Sequence, residues 1–135
     1  IGYRHITLST CGVIPKMYEL ADLNIPINLA LSLHSPFDDK RAEIMPVAKA
    51  YKVKDIIKAC QNYIDKTNRR VTFEYSLIKG VNDSKAESDE ISKLLKGMLC
   101  HVNLIPINKV EERDFERPDK TYIYKFRDAL RKKII

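Results

Sequence analysis

The 135 residues carry 24 Lys and Arg against 18 Asp and Glu, a formal net charge of +6, and are 44% hydrophobic. That apolar content is enough to fill a core and excludes a disordered or fibrous chain. No apolar run nears the roughly 18 residues that span a bilayer, and Ile1-Gly2-Tyr3-Arg4 lacks signal-peptide organisation, so the expectation is a cytoplasmic protein with no membrane partner.

In chain order, His5 to Thr10 reads as a first strand, followed by a helix over Pro15 to Leu23. Ile27 to His34 is the second strand, and a short helical piece over Asp38 to Met45 comes next. Pro46 must stop that piece at or before Met45, because a proline disfavours helical geometry in the residue preceding it. In Val53 to Thr67 the apolar residues Val53, Ile56, Ile57, Cys60, Tyr63 and Ile64 recur at three and four, which makes one buried stripe. Arg70 to Ile78 is the third strand. Ser84 is placed to cap a helix running to Met98, whose apolar face is Ile91, Leu94, Leu95 and Met98 and whose N-terminal end holds Glu87, Asp89 and Glu90. His101 to Ile107 is the fourth strand, and a last helical pattern starts at Thr121 with Tyr122, Phe126, Ala129 and Leu130.

Strands separated by helices predict repeated βα units and a parallel sheet. In open parallel sheets the strands are usually apolar on both faces, but these alternate. Leu29, Leu31 and Leu33 oppose Asn28, Ala30, Ser32 and His34; Ile6 and Leu8 oppose His5, Thr7 and Ser9; Val71, Phe73, Tyr75 and Leu77 oppose Thr72, Glu74 and Ser76. A partial TIM-like (β/α) barrel of about four βα units accounts for this, with apolar residues under outer helices and small polar ones lining an interior that holds a ligand. An open sheet with one solvated face gives the same alternation. The chain reads as one domain over residues 1–135.

Barrel active sites gather at the C-terminal ends of the strands. Here those ends are Ser9-Thr10-Cys11-Gly12, Ser32-Leu33-His34-Ser35-Pro36, Lys79-Gly80-Val81-Asn82-Asp83 and Pro106-Ile107-Asn108. These are mostly neutral hydrogen-bonding groups, suited to a ribose and an adenine edge, and neither a dinucleotide-binding glycine motif nor a P-loop is present. Each also has a structural reading. Ser9 suits a turn or cap, His34 a turn histidine bonded to backbone, and Asn82-Asp83 ordinary turn chemistry before a cap. Glu74, the one carboxylate inside a strand run, is placed either to pair with a base or to do chemistry. Arg69-Arg70 and Arg131-Lys132-Lys133 read as solvated charge. Cys11, Cys60 and Cys100 lie 49 and 40 residues apart, which excludes a short-spaced metal motif and argues against a disulfide framework.

Five ordered strings resemble the RlmN/Cfr family of radical S-adenosylmethionine RNA methyltransferases. They are Thr7 to Pro15, Leu29 to Pro36, Arg41 to Pro46, Val71 to Tyr75 with Gly80 to Asp83, and Val102 to Asn108. The resemblance implies strands three to six of a radical SAM barrel, about the middle third of a larger enzyme; the missing initiating Met and the ending at Lys132-Lys133-Ile134-Ile135, inside a helical pattern, agree with a fragment. It implies that Ser9, Ser32, Leu33, His34 and Asn108 contact S-adenosylmethionine. It implies a [4Fe-4S] cluster in the parent, held by a CxxxCxxC loop expected before Ile1, and a methyl-accepting catalytic cysteine expected after Ile135. The three cysteines here match neither position. No catalytic or metal-binding residue is therefore expected in this piece, which on its own would be inactive.

The parent's expected activity is methylation of carbon 2 of an adenine in 23S rRNA, and of a tRNA adenine, through a methyl-cysteine intermediate. The alternatives are the antibiotic-resistance branch acting at carbon 8 and a non-catalytic half barrel that binds RNA or a nucleotide. Strands His5 to Thr10 and His101 to Ile107 are expected as unpaired barrel edges through which the isolated piece self-associates.

Overall fold

A computed structural model describes residues 2, 5–106, 124 and 126–128 of the chain. Its elements are β1 (Thr7–Thr10), α1 (Ile14–Asp22), β2 (Asn28–Ser32), α2 (Asp38–Ile44), a 3₁₀ turn (Pro46–Ala50), α3 (Val53–Thr67), β3 (Val71–Leu77), α4 (Lys85–Leu95) and β4 (Cys100–Pro106). Every element expected up to Pro106 is present within a few residues of its expected bounds. The terminal helical pattern falls mostly outside the described residues, of which Tyr124, Phe126, Arg127 and Asp128 are helical.

Local chemistry sets the boundaries. α1 starts with Pro15 in its first turn, where a missing N–H costs nothing. α2 stops before Met45, which is extended as its proline neighbour requires. The N-terminus of α3 is capped across the chain, since Asp38 Oδ1 accepts the Val53 N–H at 2.8 Å and so joins α2 to α3. Asn68 ends α3 in the left-handed region at φ 56°, its N–H donating to the Ile64 carbonyl at 2.8 Å. Ser84 caps α4 as expected, its Oγ accepting from the Glu87 N–H at 3.4 Å.

The four strands are parallel and stand in the order β1-β2-β3-β4. Sequential order places each right-handed crossover on the same side, so the helices collect on one face and leave the other open. Leu29, Leu31, Leu33, Val71, Phe73, Tyr75 and Leu77 pack with the expected α3 stripe into one core, joined by Met17 and Ala21 of α1 and Ile91 and Leu95 of α4. The larger of these side chains, the leucines, isoleucines, valines, Phe73 and Met17, each contribute about 1.5–3 kcal/mol by leaving water. Thr72, Glu74 and Ser76, the alternate residues of β3, are only partly covered.

The expected facing fails at β1. Ile6 and Leu8, read as helix-facing, are 39% and 45% exposed. The reason is that α1 packs against α3, burying Met17 and Ala21 there, and does not cover the outer face of the edge strand.

Candidate functional site

At the C-terminal ends of the strands three segments of backbone converge. β1 runs into Cys11 and Gly12, where Thr10 Oγ1 accepts the Gly12 N–H at 3.0 Å. Gly12 has φ +101°, and a Cβ there would stand 2.8 Å from Ile56 Cδ1, so the chain turns over α3 at this point only as glycine. β2 runs into Leu33-His34-Ser35, closed by the Ser35 N–H on the Leu33 carbonyl at 2.7 Å. Ser35 Oγ then accepts the Phe37 N–H at 3.1 Å. β3 runs into the 78–83 turn, in which Gly80 has φ +75° and donates to Asp83 Oδ1 at 3.0 Å.

Arg41, on α2, ties the first two of these ends together. It is 1% exposed. Its Nε donates to the Leu33 carbonyl at 3.0 Å, and one terminal nitrogen donates to the carbonyls of Cys11 at 2.6 Å and Ser32 at 2.9 Å. Burial pulls its pKa below the usual arginine range, and among the described residues no carboxylate forms an ion pair with it. The sequence carried no signal for this role, because an arginine on a short amphipathic helix ordinarily points to water.

His34 sits at φ 59°, in the left-handed region. Its Nδ1 accepts the backbone N–H of Ser76 at 2.8 Å. Burial first, and then the charge of Arg41, lower its pKa from 6.5 to about 4, so the ring is neutral at physiological pH. The structural reading of His34 as a turn histidine bonded to backbone is therefore correct, and it leaves Nε2–H as the donor still on offer.

Asn82, read as plain turn chemistry, does more than that. It is fully buried. Its Oδ1 accepts the Ile78 N–H at 2.7 Å, and its Nδ2 donates to the carbonyls of His34 at 2.7 Å and Ser76 at 2.6 Å. The Tyr75 hydroxyl donates to the Asn82 carbonyl at 2.7 Å.

The strand register arranges the polar face in rows. Ser9, Ala30, Thr72 and His101 form one, and Ser32, Glu74 and Asn103 form the next. Of the expected ligand contacts, Ser9 is exposed on this face, Ser32 is half-buried in it, and His34 follows at its rim. Leu33 instead lies in the core, its N–H donating to the Glu74 carbonyl at 2.9 Å. Asn108 lies outside the described residues. Glu74 makes no ion pair among the described residues.

The cysteines do not form a metal centre. Burial raises the Cys60 thiol to about 12 and the Cys100 thiol to about 11, and no group of three His, Cys, Asp or Glu able to hold a metal occurs among the described residues. A hollow of about 560 Å³ extends from the N-terminal ends of the strands, where Asn28, Asn68, Arg69 and Arg70 line it, along the polar face to Ala30, Thr72 and Glu74. No helix of the described residues is long and apolar enough to cross a membrane.

An alternating parallel sheet with neutral polar groups at its strand ends has a direct counterpart among solved structures. A radical SAM methyltransferase from Sphaerobacter thermophilus superposes with a TM-score of 0.95 at 46% identity, over 100% of this chain and 40% of that one. A domain of pyruvate-formate lyase-activating enzyme from Bacteroides vulgatus shares the fold at a TM-score of 0.70, with 15% identity over 93% of this chain and 74% of that one. The fold is thus a partial (β/α) barrel of the radical SAM methyltransferase type.

In sequence, the relatives are narrower still. A probable dual-specificity RNA methyltransferase RlmN of Clostridioides difficile is 75% identical over 132 residues, 98% of this chain. The protein of the same description from Clostridium botulinum Alaska E43 is 58% identical over 96% of this chain. The chain spans 38% of the length of each. No family model matches it. The family read from the five strings therefore holds: the chain matches, almost end to end, a segment of RlmN-type proteins.

Proposed function

We propose that this chain is part of a radical SAM methyltransferase that methylates carbon 2 of an adenine in 23S rRNA and of a tRNA adenine through a methyl-cysteine intermediate, in the cytoplasm. The 75% identity to an RNA methyltransferase RlmN carries this reading. The neutral polar face supports it, because an exposed Ser9, a half-buried Ser32 and the His34 Nε2–H offer donors and acceptors of the kind a ribose and an adenine take. Ser9, Ser32 and His34, with Leu33 and Asn108 beside them, would hold S-adenosylmethionine, which supplies the transferred methyl group when bound. Arg41 and Asn82 keep the backbone under those groups rigid. The described residues do not fit a [4Fe-4S] cluster, whose ligands belong to the longer protein.

Mass spectrometry of rRNA and tRNA from a strain lacking the gene, with mapping of the modified position, tests the reading. Loss of methylation at carbon 2 is expected. Persisting methylation refutes it, and loss at carbon 8 instead would assign the chain to the resistance branch. By itself the piece is expected to be inactive and to self-associate through β1 and β4, the two outer strands. A purely monomeric species in sedimentation at high concentration would contradict that.

A further inference from the structure

The His34 turn is held in a costly conformation by groups outside it. A histidine at φ 59° pays a steric penalty that a glycine would not, so neighbouring contacts must over-determine it. Those contacts come from the β3 strand and the turn after it. The Ser76 N–H enters Nδ1 at 2.8 Å, and Asn82 Nδ2 holds the His34 carbonyl at 2.7 Å. The same Nδ2 holds the Ser76 carbonyl at 2.6 Å, so the residue whose N–H meets the ring is anchored from its other side. The amide cannot be turned round, since its oxygen would then face two carbonyls and its nitrogen would face the Ile78 N–H.

We propose that Asn82 is a positioning residue that fixes His34 with Nδ1 as acceptor and Nε2–H as the donor presented to ligand at the strand ends. The proposal rests on the reading of His34 as a cofactor contact and deepens it. A backbone N–H can meet only an unprotonated ring nitrogen, so the imidazole carries its single proton on Nε2. The group it takes must then present an acceptor, such as a hydroxyl or carboxylate oxygen or an aromatic ring nitrogen. A metal ion is excluded as its ligand, because Nε2 has no lone pair to give and Nδ1 is already occupied. Burial of the ring beside Arg41 disfavours the imidazolium and works in the same direction. The whole assembly depends on one fully buried side chain, which has three bonds to three backbone groups.

The test uses the full-length protein that carries this chain, labelled with ¹⁵N in its histidines, and S-adenosylmethionine as the titrant in calorimetry. Comparison with a His34→Gln variant assigns the His34 signals among those of the other histidines. The wild type is expected to show an unprotonated Nδ1 and a protonated Nε2 at neutral pH. The variant Asn82→Asp keeps an acceptor for the Ile78 N–H but sets a carboxylate against two carbonyls. It is expected to let the His34 tautomers mix and to weaken S-adenosylmethionine binding about tenfold. A wild-type ring protonated on Nδ1, or an Asn82→Asp protein with unchanged tautomer and affinity, overturns the proposal. Should Asn82→Asp fail to fold, the wild-type spectrum alone still decides the tautomer. Unchanged affinity in His34→Ala would defeat the cofactor-contact reading while leaving the spectrum to decide the role of Asn82.

Discussion

Arg41 provides the sharpest energetic test of how the strand ends are built. The perturbation is Arg41→Met, which keeps most of the side-chain volume and removes three bonds, to Leu33 at 3.0 Å, Cys11 at 2.6 Å and Ser32 at 2.9 Å. Hydrogen bonds to a charged group contribute about 1.5–3 kcal/mol each, so the gross loss is about 4.5–9 kcal/mol. Against this, the variant no longer buries a cation, which recovers several kcal/mol of desolvation. The Leu33 carbonyl keeps the Ser35 N–H as a partner, but Cys11 and Ser32 lose theirs from Arg41, a cost of about 1–3 kcal/mol for each group left unsatisfied. The expected net loss is about 3 kcal/mol. Arg41→Lys retains the charge but not the planar fork that reaches all three carbonyls, and should cost about half as much.

Urea unfolding of the full-length protein measures this directly, as a fall in midpoint at unchanged slope. An Arg41→Met protein within about 0.5 kcal/mol of wild type would refute the reasoning, since it would mean that the buried cation roughly offsets its own bonds.

Three further outcomes follow from other residues. Gly12→Ala is expected to lose about 2 kcal/mol in the same unfolding experiment, because φ +101° and a Cβ 2.8 Å from Ile56 Cδ1 are both unfavourable, and adding Ile56→Val should relieve only the clash. His34 has its folded pKa lowered from 6.5 to about 4, so folding favours the neutral ring. Its contribution, about 2 kcal/mol after screening, is whole above pH 6.5, declines as pH falls below that, and is gone below about pH 4. Midpoints recorded from pH 7 to 4 check this, and His34→Gln should flatten the profile. Cys60, buried and raised to about 12, and Cys100, raised to about 11, should resist iodoacetamide in the folded protein and react on unfolding, as read by peptide mass.

The elements were legible because they follow from local chemistry. Pro46, Ser84 and the apolar spacing of Val53 to Ile64 mark boundaries and faces without knowledge of anything distant in the chain. The polar inner face was legible for the same reason, since alternation along β2 and β3 states which residues turn away from the helices. Leu8 was misread because burial at an edge strand depends on where α1 docks, and α1 chooses α3.

The site divided along the same line. Ser9, Ser32 and His34 stand where strands end or just beyond, and strand ends can be read in sequence. The bonds that Arg41 makes to Ser32 and Asn82 makes to His34 cannot be read that way, although Asn82 too stands in a strand-end turn. Arg41 acts on carbonyls up to 30 positions away, and Asn82 on one 48 positions away. Both bind backbone rather than side chains, so no complementary residue marks them in the sequence. A group that satisfies carbonyls or a left-handed turn is recognised only when the chain has closed on it. In this barrel segment the polar groups at the strand ends are thus locally encoded, and their rigidity is encoded elsewhere, in one buried guanidinium and one buried amide.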